Sequence, residues 1–290
     1  MIRIGVLGTD NSHSITFSKL FNVPGEKYHI AGAKVVAVYG LEDARNKEVA
    51  EKAQIPTIVR RPADMLGMID GAIVDFRHGS RHLKYARPFI EAGIPTFIDK
   101  PFAATVADAK KMVALARRKH VPITSFSTVR FGPAMLKFKK AVKDIGKVRA
   151  IIISGPGNAR DQYDGIFFYA VHQVELMLEV FGNAVKSARG LDRDGLLVGE
   201  VVYKNGMVAT MHEINSGWAP FAATAFGAEG TASYDATKFD NGYFVGAKAF
   251  TEMFRTGKMP YSYNDILVST RVLAAIQKSI DTGGKDVLIR

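Results

Sequence analysis

The stretch Pro95-Thr96-Phe97-Ile98-Asp99-Lys100-Pro101 decides the predicted fold. Its short apolar run lies between Gly93 and Pro101, which is typical of a buried strand, and Pro101 ends that strand because proline has no N–H to donate to a ladder. Asp99 and Lys100 therefore stand side by side at its carboxyl end. In open α/β sheets, ligands bind beyond this end, so both are candidate site residues. The alternative is an exposed ion pair that only caps the strand.

Predicted strands and helices alternate on both sides of this stretch. Apolar runs predict strands over residues 2–7, 34–39, 57–59, 71–76 and 121–126. Amphipathic segments predict helices over residues 14–22, 43–53, 80–92 and 106–119. Together with the central stretch these segments give strand–helix alternation six times, which predicts an α/β fold with a doubly wound parallel sheet.

The turn after the first strand has the frame of a nucleotide-phosphate site, because the helix that follows offers free N–H groups and a positive dipole end. The candidate cofactor-binding residues of this turn are Gly8, Thr9, Asp10, Asn11, Ser12 and His13. The glycine fingerprint is poor, since Asp10 and His13 occupy the second and third glycine positions. A carboxylate at Asp10 repels a pyrophosphate unless it turns away. Asp10, Asn11 and Ser12 are equally typical of plain helix N-caps.

The end of the second strand leaves the choice between NAD and NADP open. Gly40 stands where an NAD site usually carries an acid for the ribose hydroxyls. Glu42 or Asp43 can substitute for that acid, whereas Arg45 favours a 2′-phosphate. We expect residues 1–123 to form a dinucleotide-binding Rossmann domain that takes NAD or NADP.

The end of the fourth strand carries three more candidate cofactor contacts. Arg77 and His78 follow the strand directly, and His82 lies in the first turn of the next helix, where we expect it to point toward the crevice. The alternative for each histidine is a polar residue that merely lies near a helix start.

The second half of the chain predicts an α+β domain over residues 124–290. Helices are expected over residues 133–145 and 167–181 and a strand over residues 147–154, while later segments alternate apolar and polar residues, as a half-exposed antiparallel sheet does. Asn205-Gly206 between two such segments predicts a hairpin with a type I′ turn. The second helix places Tyr169 and His172 on one face, together with Gln173 and Leu176.

The ordered set of motifs resembles the Gfo/Idh/MocA oxidoreductase family, typified by glucose–fructose oxidoreductase and inositol dehydrogenase. The residues that carry the resemblance are Ile2 to Gly8, His82 through Ala92-Gly93, Asp99-Lys100-Pro101, Arg130 with Pro133, Tyr169-Ala170-Val171-His172 and Thr256-Gly257-Lys258. They keep the family's order over nearly the whole chain. Two positions depart from the common pattern: Asp99 replaces a glutamate, and Phe168 stands where an aspartate precedes the histidine, so Tyr169-x-x-His172 indicates a variant subgroup.

The resemblance implies hydride transfer between a nicotinamide cofactor and a carbon that bears a hydroxyl, in a sugar, polyol or related small molecule. Its implied catalytic residues are Lys100, His172 and Tyr169, and its implied substrate contacts are Lys100, Arg130, Tyr163, Tyr169 and His172. Trp218 and His212 are further pocket candidates. The second domain then binds substrate on one side of its sheet and joins a homodimer or homotetramer through the other.

Two other functions stay open on the sequence. Asp10, His13 and Gly40 at cofactor positions and Phe168 at a catalytic one are compatible with a family member that lost hydride transfer and became a ligand-binding or regulatory protein. A third reading is a redox-assisted lyase or hydrolase that retains the cofactor and oxidises its substrate transiently.

Composition excludes several classes of function. The 290 residues contain no cysteine, which excludes disulfides, thiolate metal sites and cysteine nucleophiles. The seven histidines are dispersed along the chain, so no metal is expected. The net charge of +11 lies in short clusters such as Arg117-Arg118-Lys119, which we interpret as solvated faces that attract anionic ligands rather than nucleic acid. No run reaches membrane-span length and no signal peptide is evident, so we expect a cytoplasmic protein without membrane partners.

Overall fold

The computed structural model describes residues 1–235 and 241–289. These residues form two compact units. The first unit takes Met1–Thr128 and Tyr243–Leu267, and the second takes Val129–Gly242 and Val268–Arg290, apart from the residues left undescribed. The division predicted from sequence, 1–123 and 124–290, had assigned residues 243–267 to the second domain.

The first unit is built on a six-stranded parallel sheet with the order β3-β2-β1-β4-β5-β6. Its strands are β1 (Ile2–Leu7), β2 (Ala33–Tyr39), β3 (Thr57–Ile58), β4 (Gly71–Val74), β5 (Thr96–Ile98) and β6 (Ile123–Thr124). The predicted doubly wound sheet is therefore confirmed. Because the strand order reverses between β1 and β4, the crevice beyond their carboxyl ends is the expected place for a ligand.

Four helices connect these strands: α1 (His13–Asn22), α2 (Asp43–Lys52), α3 (His82–Glu91) and α4 (Val106–Lys119). Helix α4 shows how sequence sets their bounds. Thr105 caps its start by accepting a hydrogen bond from the Asp108 N–H at 3.1 Å, and His120 ends it in the left-handed conformation. Its apolar stripe, which includes Met112 and Ala116, is fully buried in the core of the unit.

The second unit contains a seven-stranded sheet with the order β12-β11-β7-β10-β9-β8-β13. Its strands are β7 (Ala150–Pro156), β8 (Val185–Arg193), β9 (Leu196–Tyr203), β10 (Val208–Ile214), β11 (Ala222–Phe226), β12 (Thr231–Asp235) and β13 (Val287–Leu288). Only β7 and β10 pair in parallel, so the prediction of a largely antiparallel sheet is confirmed. Two helices of this unit are α5 (Pro133–Lys143) and α6 (Ala170–Phe181).

The hairpin between β9 and β10 has a different turn from the one expected. Of Asn205 and Gly206, only Gly206 has a positive φ, +84°, whereas a type I′ turn requires two. The Gly206 N–H donates to the Tyr203 carbonyl at 3.0 Å, so the turn is centred on Lys204 and Asn205. Asn205 Oδ1 accepts from the Met207 N–H at 3.0 Å and stabilises this alternative.

Aromatic packing explains why residues 243–267 belong to the first unit. Helix α7 (Gly242–Thr256) places Phe250 on β5, where its ring stacks on Phe97 with centroids 4.5 Å apart. Phe17 of α1 meets the edge of both rings, at 5.7 Å from Phe97 and 5.4 Å from Phe250. The last helix is α8 (Asp265–Asp281). No helix within residues 1–235 and 241–289 is long and apolar enough to span a membrane.

Candidate active site

The turn between β1 and α1 is held against the end of β4. Gly8 has a φ of +106°, and a Cβ at this position would lie 2.6 Å from backbone atoms of Asp75 and Phe76. Only glycine fits, because both the conformation and the space exclude a side chain. Ser12, at the N-cap of α1, forms no capping bond from its side chain. The first-turn N–H groups of α1 therefore face the same edge of the sheet as the Gly8 turn.

Side chains from α2 fix the outer part of this turn. The Thr9 hydroxyl donates to Asn46 Oδ1 at 2.8 Å. Arg45 donates from Nε to the Thr9 carbonyl at 2.6 Å and from Nη2 to the Asn11 carbonyl at 3.4 Å. The turn is thereby held from the side of β2 as well as from the side of β4.

The Asp10 carboxylate turns toward the segment that follows β4. Its Oδ1 accepts from the Arg77 N–H at 3.4 Å, and its Oδ2 lies 3.8 Å from the guanidinium of Arg81. The carboxylate is partly exposed, so this ion pair contributes little stability. Its importance is electrostatic, because Arg81 offsets a negative charge that would otherwise repel a phosphate.

A buried hydrogen-bonded cluster joins β1, β4 and β5 at their carboxyl ends. The Asn11 amide donates to Asp75 Oδ1 at 2.9 Å and to Asp99 Oδ2 at 3.3 Å. His13 Nδ1 lies 2.9 Å from the same Asp99 oxygen, and its Nε2 lies 2.8 Å from the hydroxyl of Tyr243 on α7. A carboxylate accepts only, so Nδ1 carries the proton that binds Asp99.

The two aspartates of this cluster have opposite pKa shifts. Burial raises the pKa of Asp75 well above its usual value, and the nearby Asp99 carboxylate adds to the effect. Burial also acts to raise the pKa of Asp99, but His13 and Lys100 outweigh it and bring that pKa to about 2. Two buried carboxyl groups in contact do not both ionise readily, so the site favours a neutral Asp75 beside an ionised Asp99.

Lys100 follows Asp99 and is only 4% exposed. Burial lowers the pKa of its ammonium, the carboxylates of Asp99 and Asp75 oppose that effect, and Arg77 reinforces it. A lysine with a lowered pKa exchanges its proton more readily near neutral pH than an exposed lysine does. The ion pair that only caps a strand is therefore ruled out as a description of Asp99 and Lys100, because both side chains are buried.

His82 has a buried environment at the start of α3, and its expected cofactor contact stays a prediction. Its side chain is fully buried, and its Nε2 lies 2.8 Å from the Phe76 carbonyl. Burial lowers the pKa of the ring and favours the neutral form. The histidine therefore stabilises the turn between β4 and α3. Arg77 and His78 of the same turn are both partly exposed, and the Arg77 N–H contacts Asp10.

In the second unit, Arg130 lies in a buried network of ion pairs. It is 8% exposed and forms ion pairs with Glu175 and with Glu179, the latter at 3.1 Å. Lys139 completes the network by contacting Glu179 at 2.6 Å. Two carboxylates of one helix therefore hold the guanidinium in place, and the expected substrate role of Arg130 stays a prediction.

The remaining candidates of the second unit cluster at the start of α6. Tyr169 stands at the helix N-cap and is 36% exposed, and its ring lies 6.0 Å from that of His172. Tyr163 packs on Phe168 at 4.8 Å. His172 is 7% exposed, and Phe221 lies 5.0 Å from its ring. Helix α6 begins at Ala170, three residues later than predicted, so His172 lies in its first turn.

Comparison with known proteins shows a family likeness in the first unit. Residues 2–126 match the family model described as an oxidoreductase family with the NAD-binding Rossmann fold. Over these residues the chain is similar to the Gfo/Idh/MocA oxidoreductase family. The matched residues cover the β1–β6 sheet and with it Gly8, Asp75, Asp99 and Lys100.

Relatives and solved structures extend the likeness. An uncharacterized oxidoreductase of Escherichia coli (strain K12), YhhX, is 30% identical over 38% of this chain and 35% of its own length. Inositol 2-dehydrogenase 1 of Saccharopolyspora erythraea is 29% identical over 51% of this chain and 41% of its own length, so the chain matches less than half of either relative. The structure of a myo-inositol dehydrogenase from Lactobacillus casei, in complex with NAD(H) and myo-inositol, has the same fold: its TM-score is 0.82 at 16% identity, covering 100% of this chain and 97% of that one.

The phosphate part of a dinucleotide site fits the residues of this chain. The Gly8 turn brings the N-terminus of α1, where the Ser12 side chain forms no cap, to the point where the strand order reverses, which is where N–H groups bind a diphosphate. The ribose part departs from the family pattern. A Cβ at Gly40 would lie 1.9 Å from Thr9 Oγ1, so an acid cannot stand there unless Thr9 moves. Arg45 is already bonded to the turn through the carbonyl groups of Thr9 and Asn11.

His13, Asp75 and Asp99 also offer three potential metal-binding atoms within 4.8 Å of one another. Both nitrogens of the His13 ring are already engaged, one by Asp99 and the other by Tyr243. The Lys100 ammonium supplies a positive charge to the same carboxylates. We therefore describe the group as a hydrogen-bonded cluster and not as a metal centre.

Sequence reasoning missed two buried carboxyl residues and one partly buried tyrosine. Asp75 directly follows the fourth strand, and an acid after an otherwise apolar run was a signal that could have marked it. Tyr243 reaches His13 across 230 positions of sequence, which no local pattern indicates. Glu213 on β10 is 1% exposed, and burial raises its pKa well above the usual value. Of the other pocket candidates, Trp218 is 82% exposed.

Proposed function

We propose that this chain is an NAD(P)-dependent dehydrogenase that transfers a hydride between a nicotinamide cofactor and a hydroxyl or carbonyl carbon of a sugar, polyol or related small molecule. The observation that carries the proposal is the buried Lys100 at the carboxyl end of β5, on the same sheet edge as the Gly8 turn. The likeness of residues 2–126 to the Gfo/Idh/MocA family and the inositol dehydrogenases among its relatives support it.

The chain's own residues divide the work into binding and proton transfer. The Gly8 turn and the first N–H groups of α1 are proposed to bind the diphosphate, with Arg77 and His78 beside them. The cofactor, when bound, accepts or supplies the hydride. Lys100 is proposed to take the proton from the substrate hydroxyl, since burial lowers the pKa of its ammonium and makes the neutral amine more accessible.

Roles for the second unit stay predictions. His172 is proposed as a second proton acceptor, and Tyr169 and Tyr163 as polar groups near it, because all three lie at the start of α6. A His172→Asn variant should turn over more slowly and keep its cofactor affinity. Equal loss of both would mean that the histidine acts only in folding.

We also propose a homodimer or homotetramer through the outer face of the second unit's sheet. The strands of this sheet alternate between buried and exposed positions, and the exposed side carries four large apolar residues that water solvates poorly: Ile152, Leu191, Leu196 and Phe226. An apolar face of this kind is typical of an interface between copies.

The test is a screen of sugars and polyols against NAD and NADP. We expect reduction of at least one cofactor, and a loss of turnover by roughly 10²-fold or more in Lys100→Ala, the scale of one acid–base group. Lys84→Ala is a matched control, because Lys84 lies on the exposed side of α3 and contacts the Tyr85 ring. Turnover of Lys100→Ala equal to that of the control would remove Lys100 from the mechanism.

The specific features that favour the ligand-binding alternative are Asp10, His13 and Gly40. Each replaces a residue that a typical dinucleotide site uses, and His13 is committed to Asp99 and Tyr243. A chain that binds a sugar or polyol without reducing either cofactor would support this second function over the first.

A further inference from the structure

Two carboxyl groups lie against each other beside Lys100. Asp75 directly follows β4, Asp99 directly follows β5, and both side chains are completely buried. An oxygen from each, together with a ring nitrogen of His13, falls within 4.8 Å. One amide, that of Asn11, donates to both carboxyl groups, at 2.9 Å and 3.3 Å. Two buried carboxylates this close cannot both keep a negative charge without a strong penalty.

Within the part of the chain that the structure describes, one oxygen of each carboxyl group accepts hydrogen bonds, and the other oxygen of each does not. Asp75 Oδ1 receives the Asn11 amide, and Asp99 Oδ2 receives the same amide and His13 Nδ1–H. The other two oxygens, Asp75 Oδ2 and Asp99 Oδ1, are buried and receive no donor from the residues that the structure describes. A proton on the pair would remove one of the two buried negative charges, whereas leaving both oxygens bare and both groups charged would be costly.

We propose that Asp75 and Asp99 share one proton, carried mainly by Asp75, and that this proton sets the negative charge next to Lys100. Asp99 is the ionised partner because it accepts the N–H of His13, whose other nitrogen is bonded to the Tyr243 hydroxyl. With the proton in place the pair carries one negative charge. When the proton leaves, the pair carries two, which favours the Lys100 ammonium and withdraws the neutral amine.

The charged and titratable groups around the pair come from every neighbouring element. They are Asp10, His13, Arg77, His82, Lys100 and Tyr243. Burial is the main cause of the raised pKa of Asp75, followed by Asp99, while Lys100 opposes it and Asp10 adds to it. Lys100 and His13 therefore stabilise the single negative charge of the pair without removing the reason for the shared proton.

The shared proton can be tested without any substrate. Infrared spectra of protein carrying ¹³C-labelled aspartate should show a protonated carboxyl band at neutral pH that Asp75→Asn removes. Asp70→Asn is the matched control, because Asp70 lies just before β4, and its hydrogen bond to Arg3 lowers its pKa and keeps it ionised. This control should retain the band. Absence of the band from the unmodified protein, or its persistence in Asp75→Asn, would overturn the shared proton.

Metal analysis of the purified protein tests the alternative that a metal ion, and not a proton, lies between the carboxyl groups. The proposal requires that the protein bind no stoichiometric metal, since a cation between Asp75, Asp99 and His13 would replace the proton. One equivalent of metal per chain, lost in Asp75→Asn and kept in Asp70→Asn, would overturn it.

The effect on Lys100 rests on the proposed dehydrogenase function and needs a separate measurement. In Asp75→Asn the pair can no longer gain a second negative charge, so the Lys100 ammonium should lose its proton at lower pH. We expect the acidic limb of the turnover–pH profile to move to lower pH in this variant and to stay in place in Asp70→Asn. An unshifted profile in Asp75→Asn would overturn the claim that the charge of the pair sets the protonation of Lys100. Lack of turnover in the unmodified protein would count against the dehydrogenase function alone, because the infrared band decides the shared proton independently.

Discussion

Replacing Gly8 by alanine tests the turn on which the cofactor proposal depends. Gly8 has a φ of +106°, and an added Cβ would lie 2.6 Å from the carbonyl carbon of Asp75 and from the N atom of Phe76. Those neighbours are backbone atoms at the end of β4, so they cannot rotate away as a flexible side chain would. The substitution must displace either the turn or the strand end that carries Asp75.

The expected loss has two parts. A non-glycine residue in the left-handed region costs about 1–2 kcal/mol. Relief of the overlap adds about 1–3 kcal/mol, the usual cost of forcing an extra methyl group into packed surroundings. Gly93→Ala isolates the first part, because Gly93 has a φ of +82° and nothing within 4 Å of an added Cβ. Gly8→Ala should therefore lose about 1–3 kcal/mol more than Gly93→Ala.

Urea unfolding followed by far-ultraviolet circular dichroism measures both variants. Trp218 is not a useful reporter for this comparison, since it lies in the second unit and is 82% exposed. Cofactor affinity should also fall in Gly8→Ala and stay near that of the unmodified protein in Gly93→Ala. Equal free energies of unfolding for the two variants would refute the close approach of Gly8 to β4.

Two further predictions concern the second unit. Burial raises the pKa of Glu213, so the stability that its neutral side chain contributes is present at acidic pH and is lost as pH rises through that raised pKa. Glu213→Gln should remove this pH-dependent loss of stability. The free energies of unfolding of both proteins over a pH series measure the difference. A parallel decline in the variant would show that Glu213 is not its source. Ile152→Lys places a charge on the outer face of the sheet and should reduce the mass measured by light scattering to that of one chain. Lys147→Ala, outside the strand, is the control. An unchanged mass in Ile152→Lys would place any interface elsewhere.

The sequence predicted the architecture well because the first unit follows local rules. Apolar runs bounded by glycine or proline mark the strands, and Gly8, Asp99 and Lys100 are placed by the ends of those strands. The order β3-β2-β1-β4-β5-β6 is compatible with the predicted alternation and with right-handed parallel connections, but the sequence alone did not predict it.

The sequence predicted less of the site, because its contacts join distant segments. Tyr243 meets His13 only because the aromatic face of α7 packs on α1 and β5. Asp75 was read as part of a strand that was expected to run to Phe76, although the strand ends at Val74. Which of two nearby aspartates keeps its proton depends on burial and on three-dimensional partners, and neither is encoded at one position.

Arg130 has contacts that the sequence did not predict. The family resemblance implies a substrate contact for it, which stays a prediction, and Glu175 and Glu179, four residues apart on one face of α6, both bind its guanidinium. That spacing was visible in the sequence, whereas the position of Arg130 beside the helix was not.

Titration of the protein into NADH and into NADPH, followed by nicotinamide fluorescence, tests the central claim most directly. A site built from the Gly8 turn and the N-terminus of α1 predicts saturable enhancement or a blue shift with at least one cofactor. No spectral change and no heat of binding with either cofactor would contradict the assignment of this site to a nicotinamide dinucleotide.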